Sequence, residues 1–85
     1  MSEEKPREYT KGVRSMHPDY IWGWNVGHTL KITKDMKGDE RRSMALFEMD
    51  IIKKEGMEKN AEMSYLQQGF VDGYNTLVDE IDGRE

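Results

Sequence analysis

Two short blocks constrain this chain more than anything else in it. Gly23-Trp24-Asn25-Val26-Gly27-His28-Thr29-Leu30 is echoed by Gly69-Phe70-Val71-Asp72-Gly73-Tyr74-Asn75-Thr76-Leu77. Both read Gly-aromatic-x-x-Gly-aromatic with Thr and Leu close behind, and an aromatic precedes each, Tyr20 and Tyr65. On a helix, residues four apart share a face, so each glycine pair leaves a bare patch. Each helical Gly costs roughly 1 kcal/mol relative to Ala, so four of them call for compensation. Close backbone approach is the available compensation. It is best attested for small-residue helix pairs in membranes, but the steric argument is the same in water. The patches therefore predict tight packing, within the fold or at a seam between two copies built from Gly23, Gly27, Gly69, Phe70, Gly73 and Tyr74. A ligand approaching the bare backbone is the other reading.

Around these blocks the chain reads as three helices behind a polar arm. Residues 1–15 are mixed in charge, with Pro6 and Gly12. Pro18 and Asp19 suit a first helical turn, with Ser15 as a cap, and the first helix is expected over about 18–33. Lys34 to Gly38 is a linker, and Asp39 is placed to cap a second helix over about 39–55. That stretch is rich in helix formers, and Met44, Phe47 and Ile51, with Ile52 beside them, form one apolar stripe at helical spacing. Gly56 is where a left-handed cap would sit. Asn60 is the expected cap of a third helix over about 60–82. Its stripe runs Met63, Leu66, Phe70, Gly73, Leu77 and Ile81, and Gly83 is its stop. Asp72, Thr76, Asp79 and Asp82 form the opposite, solvated face. Residues 16–85 thus read as one small all-α domain.

A strand reading competes for the first element. Tyr20, Trp22, Trp24, Val26, His28, Leu30 and Ile32 are all even-numbered, which is period-2 alternation of strand-loving residues. Lys37-Gly38 would then turn into a second strand carrying Ala45, Phe47, Met49 and Ile51, giving an α+β hairpin packed on the C-terminal helix. The internal echo favours the helix, because the second copy sits in the most strongly periodic segment.

Composition narrows the function classes. The 85 residues contain no Cys, which excludes disulfides, zinc–thiolate sites and cysteine nucleophiles. The longest uncharged run, Tyr20 to Leu30, is 11 residues, against the roughly 20 needed to span a bilayer. The first six residues have no apolar core of a secretory signal. A soluble, cytoplasmic protein is expected. A core of this size rarely supplies more than about 3–5 kcal/mol, so self-association, most simply a homodimer, is expected to add buried area. The formal charge is −4, unevenly placed: residues 1–37 carry net +2 and residues 38–85 net −6. The C-terminal part is too acidic to be a whole-face DNA binder.

Candidate sites follow from the same residues. Trp22 and Trp24 point about 200° apart on a helix, so the single domain buries only one well. The other is an interface anchor by residue type. With the acidic Asp72, Asp79, Glu80 and Asp82 it makes a partner-binding surface suited to a basic groove. The alternative is a nucleotide or nucleic acid held by Lys5, Lys11 and Arg14 with a base stacked on Tyr9. Arg41 and Arg42 have Glu40 and Glu48 nearby and read as ordinary surface pairs. His17 and His28 lack metal-ligand spacing and read as a helix-start and a core-edge histidine. Met16, Met36, Met44, Met49, Met57 and Met63 are adaptable filler of core and seam. No nucleophile elbow, Walker loop or dinucleotide fingerprint is present, so neither an enzyme nor a cofactor is expected.

The blocks Tyr20-x-x-Gly23-Trp24-x-x-Gly27 and Gly69-Phe70-x-x-Gly73-Tyr74 resemble the aromatic–glycine helices of small phage-encoded proteins, and also those of the ribosome modulation factor family. The latter family is strongly basic and this chain is acidic, so ribosome binding does not carry over. The phage resemblance implies a class: small, cofactor-free proteins that bind and block a host component, defence systems included. The expectation is a non-enzymatic protein–protein interaction module that acts by stoichiometric binding to a protein partner.

Overall fold

Pro18 opens the first helix, its missing N–H falling where none is needed. The computed structural model describes residues 12–83 and contains three helices and, among the described residues, no strand: α1 (Pro18–His28), α2 (Gly38–Glu58) and α3 (Met63–Asp82). The all-α reading holds and the hairpin does not. His17 rather than Ser15 caps α1: its Nδ1 accepts the Asp19 N–H at 3.1 Å, while Ser15 Oγ accepts the His17 N–H one step earlier. The polar arm of residues 1–15 lies outside the described residues except for its last four.

Helix boundaries depart from the sequence reading where tertiary contacts intervene. α1 stops at His28 rather than near residue 33, and Thr29 closes it by donating its N–H to the Asn25 and Val26 carbonyls. α2 begins one residue before the expected cap Asp39. There the Glu40 carboxylate accepts the Lys37 N–H at 2.9 Å. It also runs through Gly56 instead of ending there. Gly56 is helical and buried, at a close approach of α3 where a Cβ would meet Leu66 Cδ2 at 2.6 Å and Met63 Cε at 2.7 Å. Asn60 is a left-handed turn residue (φ 59°), not the cap of α3. Glu62 is the N-cap residue of α3 instead, and it is held from a distance, as Asp19 Oδ2 accepts the Glu62 N–H at 2.7 Å. Gly83 ends α3 in the left-handed conformation, φ 77°.

The glycine patches face each other inside one chain. A Cβ on Gly23 would collide with the Leu66 carbonyl oxygen, and one on Gly27 with that of Phe70. Reciprocally, Gly69 lies against the Tyr20 carbonyl and Gly73 against that of Trp24. Rising numbers in α1 meet rising numbers in α3, so the two helices run parallel and cross backbone to backbone. The expected seam between two copies is therefore an internal crossing. The same geometry leaves Phe70 2% exposed in the core and Tyr74 half-buried beside it.

α2 returns antiparallel to α3. Ala45 and Ile52 join Leu66 and Phe70 in the buried core, with Trp22, Val26, Met49 and Tyr74 packed around them. α1 packs on α3 far more extensively than either packs on α2. In its thinnest direction the Cα trace spans 15 Å, roughly one helical Cα cylinder of radius ~2.3 Å plus one interaxial distance of ~8–10 Å. All three helices meet, with Trp22 and Val26 of α1 reaching the core that Ala45 and Ile52 of α2 share with α3. α2 divides its apolar residues accordingly. Ile52 and Ala45 face α3, while Phe47 is 66% and Ile51 37% exposed on the other side.

Gly69→Ala tests the crossing. The added Cβ meets the Tyr20 carbonyl, which has no side chain to rotate away. Overpacking against fixed backbone outweighs the propensity gain of about 1 kcal/mol. Urea denaturation is expected to show a net loss of about 2 kcal/mol, a fall in Tm of roughly 8–16 °C. Gly38→Ala, where nothing lies within 4 Å, is expected to show no loss.

Candidate functional site

α1 has 11 residues and α3 has 20, so α1 covers only part of its partner. This length difference decides what becomes of the predicted acidic face. Asp72 sits where α1 still covers α3 and is 7% exposed. Its Oδ2 accepts the Tyr20 hydroxyl at 2.5 Å, its Oδ1 accepts Gln68 Nε2–H at 3.0 Å, and Arg14 Nε lies 4.0 Å away. Asp72 is thus a buried structural carboxylate, a correction to its expected place on the partner surface. Asp79 and Glu80 lie beyond the end of α1 and are exposed. Glu80 Oε1 is 3.0 Å from His28 Nε2. Asp82 is half-buried and takes the Arg41 guanidinium as a two-pronged pair, both contacts at 3.1 Å.

Arg41 corrects a second expectation. It is no surface pair but a buried clamp, 8% exposed, whose Nη2 also donates to the Thr33 carbonyl at 3.0 Å and the Lys34 carbonyl at 3.3 Å. It ties the α1–α2 loop and the start of α2 to the end of α3. Hydrogen bonding to Asp82 pushes its pKa above the ordinary arginine value, so its charge is fixed.

Neither tryptophan is a free anchor. Trp24 is 7% exposed, donates its indole N–H to the Gly12 carbonyl at 3.1 Å, and stacks on His28 with centroids 4.5 Å apart. Trp22 is half-buried against the core cluster, with Lys59 Nζ 5.7 Å from its ring centroid. The two rings do point to different sides, and both sides are occupied. His17 stacks on Tyr65 at 4.1 Å, and no group of three metal-ligating side chains occurs among the described residues. Of the alternative phosphate site, Lys5, Tyr9 and Lys11 lie outside the described residues. Arg14 is exposed at its side chain but set toward Asp72, and its N–H donates to Tyr20 Oη at 2.9 Å.

What the sequence reading missed is on α2. Leu46 is 62% and Phe47 66% exposed, and Val71 of α3, 41% exposed, flanks Leu46 across a groove of about 540 Å³. Phe70, Ala45 and Met49 line it with Tyr74 and Val78, and Gly38, Arg41, Arg42 and Asp82 also contribute. The Arg41–Asp82 pair belongs to the fold, so the groove offers apolar surface and the exposed Arg42. On the other flank of α2, two further hollows surround Met44 and Phe47. The signal for this layout was side-chain size. Ala45 and Gly56 are the small residues of α2 that admit α3, as the four glycines admit α1 and α3 to each other.

No protein-family model matches the chain, and no curated protein or solved structure matches it. No helix of the described residues is long and apolar enough to cross a membrane.

The Tyr20–Asp72 pair gives a pH test. Burial first, and then the hydrogen bond to Asp72, raise the Tyr20 pKa above its ordinary value of 10.0. The fold prefers neutral Tyr20, so this contribution is complete below about pH 10 and is lost as pH rises through the folded value. Tyr20→Phe is expected to cost about 1–3 kcal/mol at pH 7, because Asp72 loses a buried donor. The gap between the two proteins is expected to narrow above pH 10 in urea titrations.

Proposed function

We propose that this protein is a non-enzymatic binding module that docks an apolar segment of another protein into the α2–α3 groove. The observation that supports this reading most is the pairing of exposed Leu46 and Val71 on the rim with buried Phe70 beneath them. Single exposed apolar residues are ordinary, but contiguous ones beside a groove mark interaction sites. Arg42 at one end favours a segment with an acidic residue there. Arg41 and Asp82, which line the groove, are spent on each other, which supports binding over catalysis.

The partner surface proposed here differs from the one read in the sequence. Trp24 and Asp72 are buried, Trp22 is covered, and Glu80 and Asp82 are paired, so that surface is not a continuous patch. The glycine–aromatic blocks that carry the phage resemblance are spent on the α1–α3 crossing. They speak to fold and leave the partner open. In the setting that resemblance implies, the docked segment belongs to a host or defence protein, and binding is stoichiometric inhibition.

The test places a photo-crosslinking amino acid at Leu46 and, separately, at exposed Asn25 on α1. Irradiation in an extract of the source cell is expected to give one discrete heterologous adduct from position 46 and none from position 25. Equal labelling at both positions, or none, overturns the groove assignment.

A further inference from the structure

We propose that a second copy of this chain docks on the outer face of α2 in an antiparallel, twofold arrangement centred on Phe47. The residues Glu40, Met44, Phe47, Ile51 and Lys54 are spaced 4-3-4-3, the period that keeps a row on one side of a helix facing a helical partner. Phe47 and Ile51 are exposed, and Met44 is half-buried at the edge of α2. α2 spends its opposite side on α3, and among the described residues Phe47 and Ile51 at the centre of this row stay exposed.

Shape and charge both name the occupant. Beside Phe47 lies a hollow of about 380 Å³ lined by Val26, Leu30, Met44 and Glu48. A protruding ring next to a hollow on one face is a self-complementary pattern, the kind a twofold interface uses. Glu40 and Lys54 each stand seven residues, two helical turns, from Phe47. An antiparallel twofold through Phe47 sets Glu40 against the partner copy's lysine at position 54, twice. A parallel arrangement sets like charges together at both ends. Both charges are accessible: Lys54 is 77% exposed at its side chain, and its ion pair with Asp50 at 3.8 Å is a solvent-exposed one that costs little to exchange. Glu40 uses Oε1 on the Lys37 N–H and keeps its second oxygen.

Sedimentation equilibrium of the full chain is expected to show a reversible dimer, twice the 10.0 kDa chain mass. Phe47→Asp is expected to weaken dimerisation at least about thirtyfold. Because Phe47 is exposed, helical circular dichroism should be unchanged. Glu40→Lys and Lys54→Glu are each expected to weaken the dimer about three- to tenfold. The double reversal is expected to restore it, which a merely local role for either charge would not do. Val71→Asp, in the groove, is expected to abolish the heterologous adduct yet leave the dimer intact, so the two proposals fail separately. A wild-type monomer at 100 μM, a dimer indifferent to Phe47→Asp, or a double reversal without rescue overturns the proposal.

Discussion

The backbone contact between α1 and α3 is the constraint on which the rest of this structure depends. Four glycines remove every Cβ from the crossing, so the carbonyls of Tyr20, Trp24, Leu66 and Phe70 lie directly on the opposing helix. Helices that touch along their backbones leave little room for side chains between them. The large residues of both blocks are therefore displaced to the flanks, where Trp24 meets His28 and the Gly12 carbonyl and where Phe70 fills the core toward α2. The core gathers on one side of α2, at Ala45 and Ile52, and Phe47 and Ile51 on its other side stay exposed.

Much of the fold was legible because it is written in residue size and period. Three helices, the Pro18 start and the Gly83 stop follow from local chemistry. The echo of the two blocks identified surfaces in tight contact. Sequence alone left open whether they met in one chain or across two, because either satisfies the same sterics. The strand alternative failed for the same reason the echo mattered: period-2 alternation counts apolar residues, whereas the glycines only pack when they share a helical face.

The candidate surface was less legible. Asp72 and Asp79 lie two turns apart and look equivalent on a helical projection. Their fates diverge because α1 ends between them, and no property of α3 says where that end falls. Arg41 looked like a surface charge beside Glu40, yet the loop carbonyls of Thr33 and Lys34 and the carboxylate of Asp82 converge on it from two other parts of the chain. On α2, hydrophobicity picked the row of Met44, Phe47 and Ile51. Size would have picked Ala45 and Gly56, which with Ile52 form the buried row that α3 approaches.

The parallel course of α1 and α3 carries a kinetic consequence. In a bundle of consecutive antiparallel helices, neighbours in space are neighbours in the chain. Here the most intimate contact joins partners far apart in sequence, as Tyr20 and Asp72 do across 52 positions. The entropy of closing that loop must be met before the crossing returns any of it. Such topology weights the contact order toward distant pairs. For its size and helix content, this chain is built to fold slowly, with the α2–α3 hairpin as the part that forms without waiting.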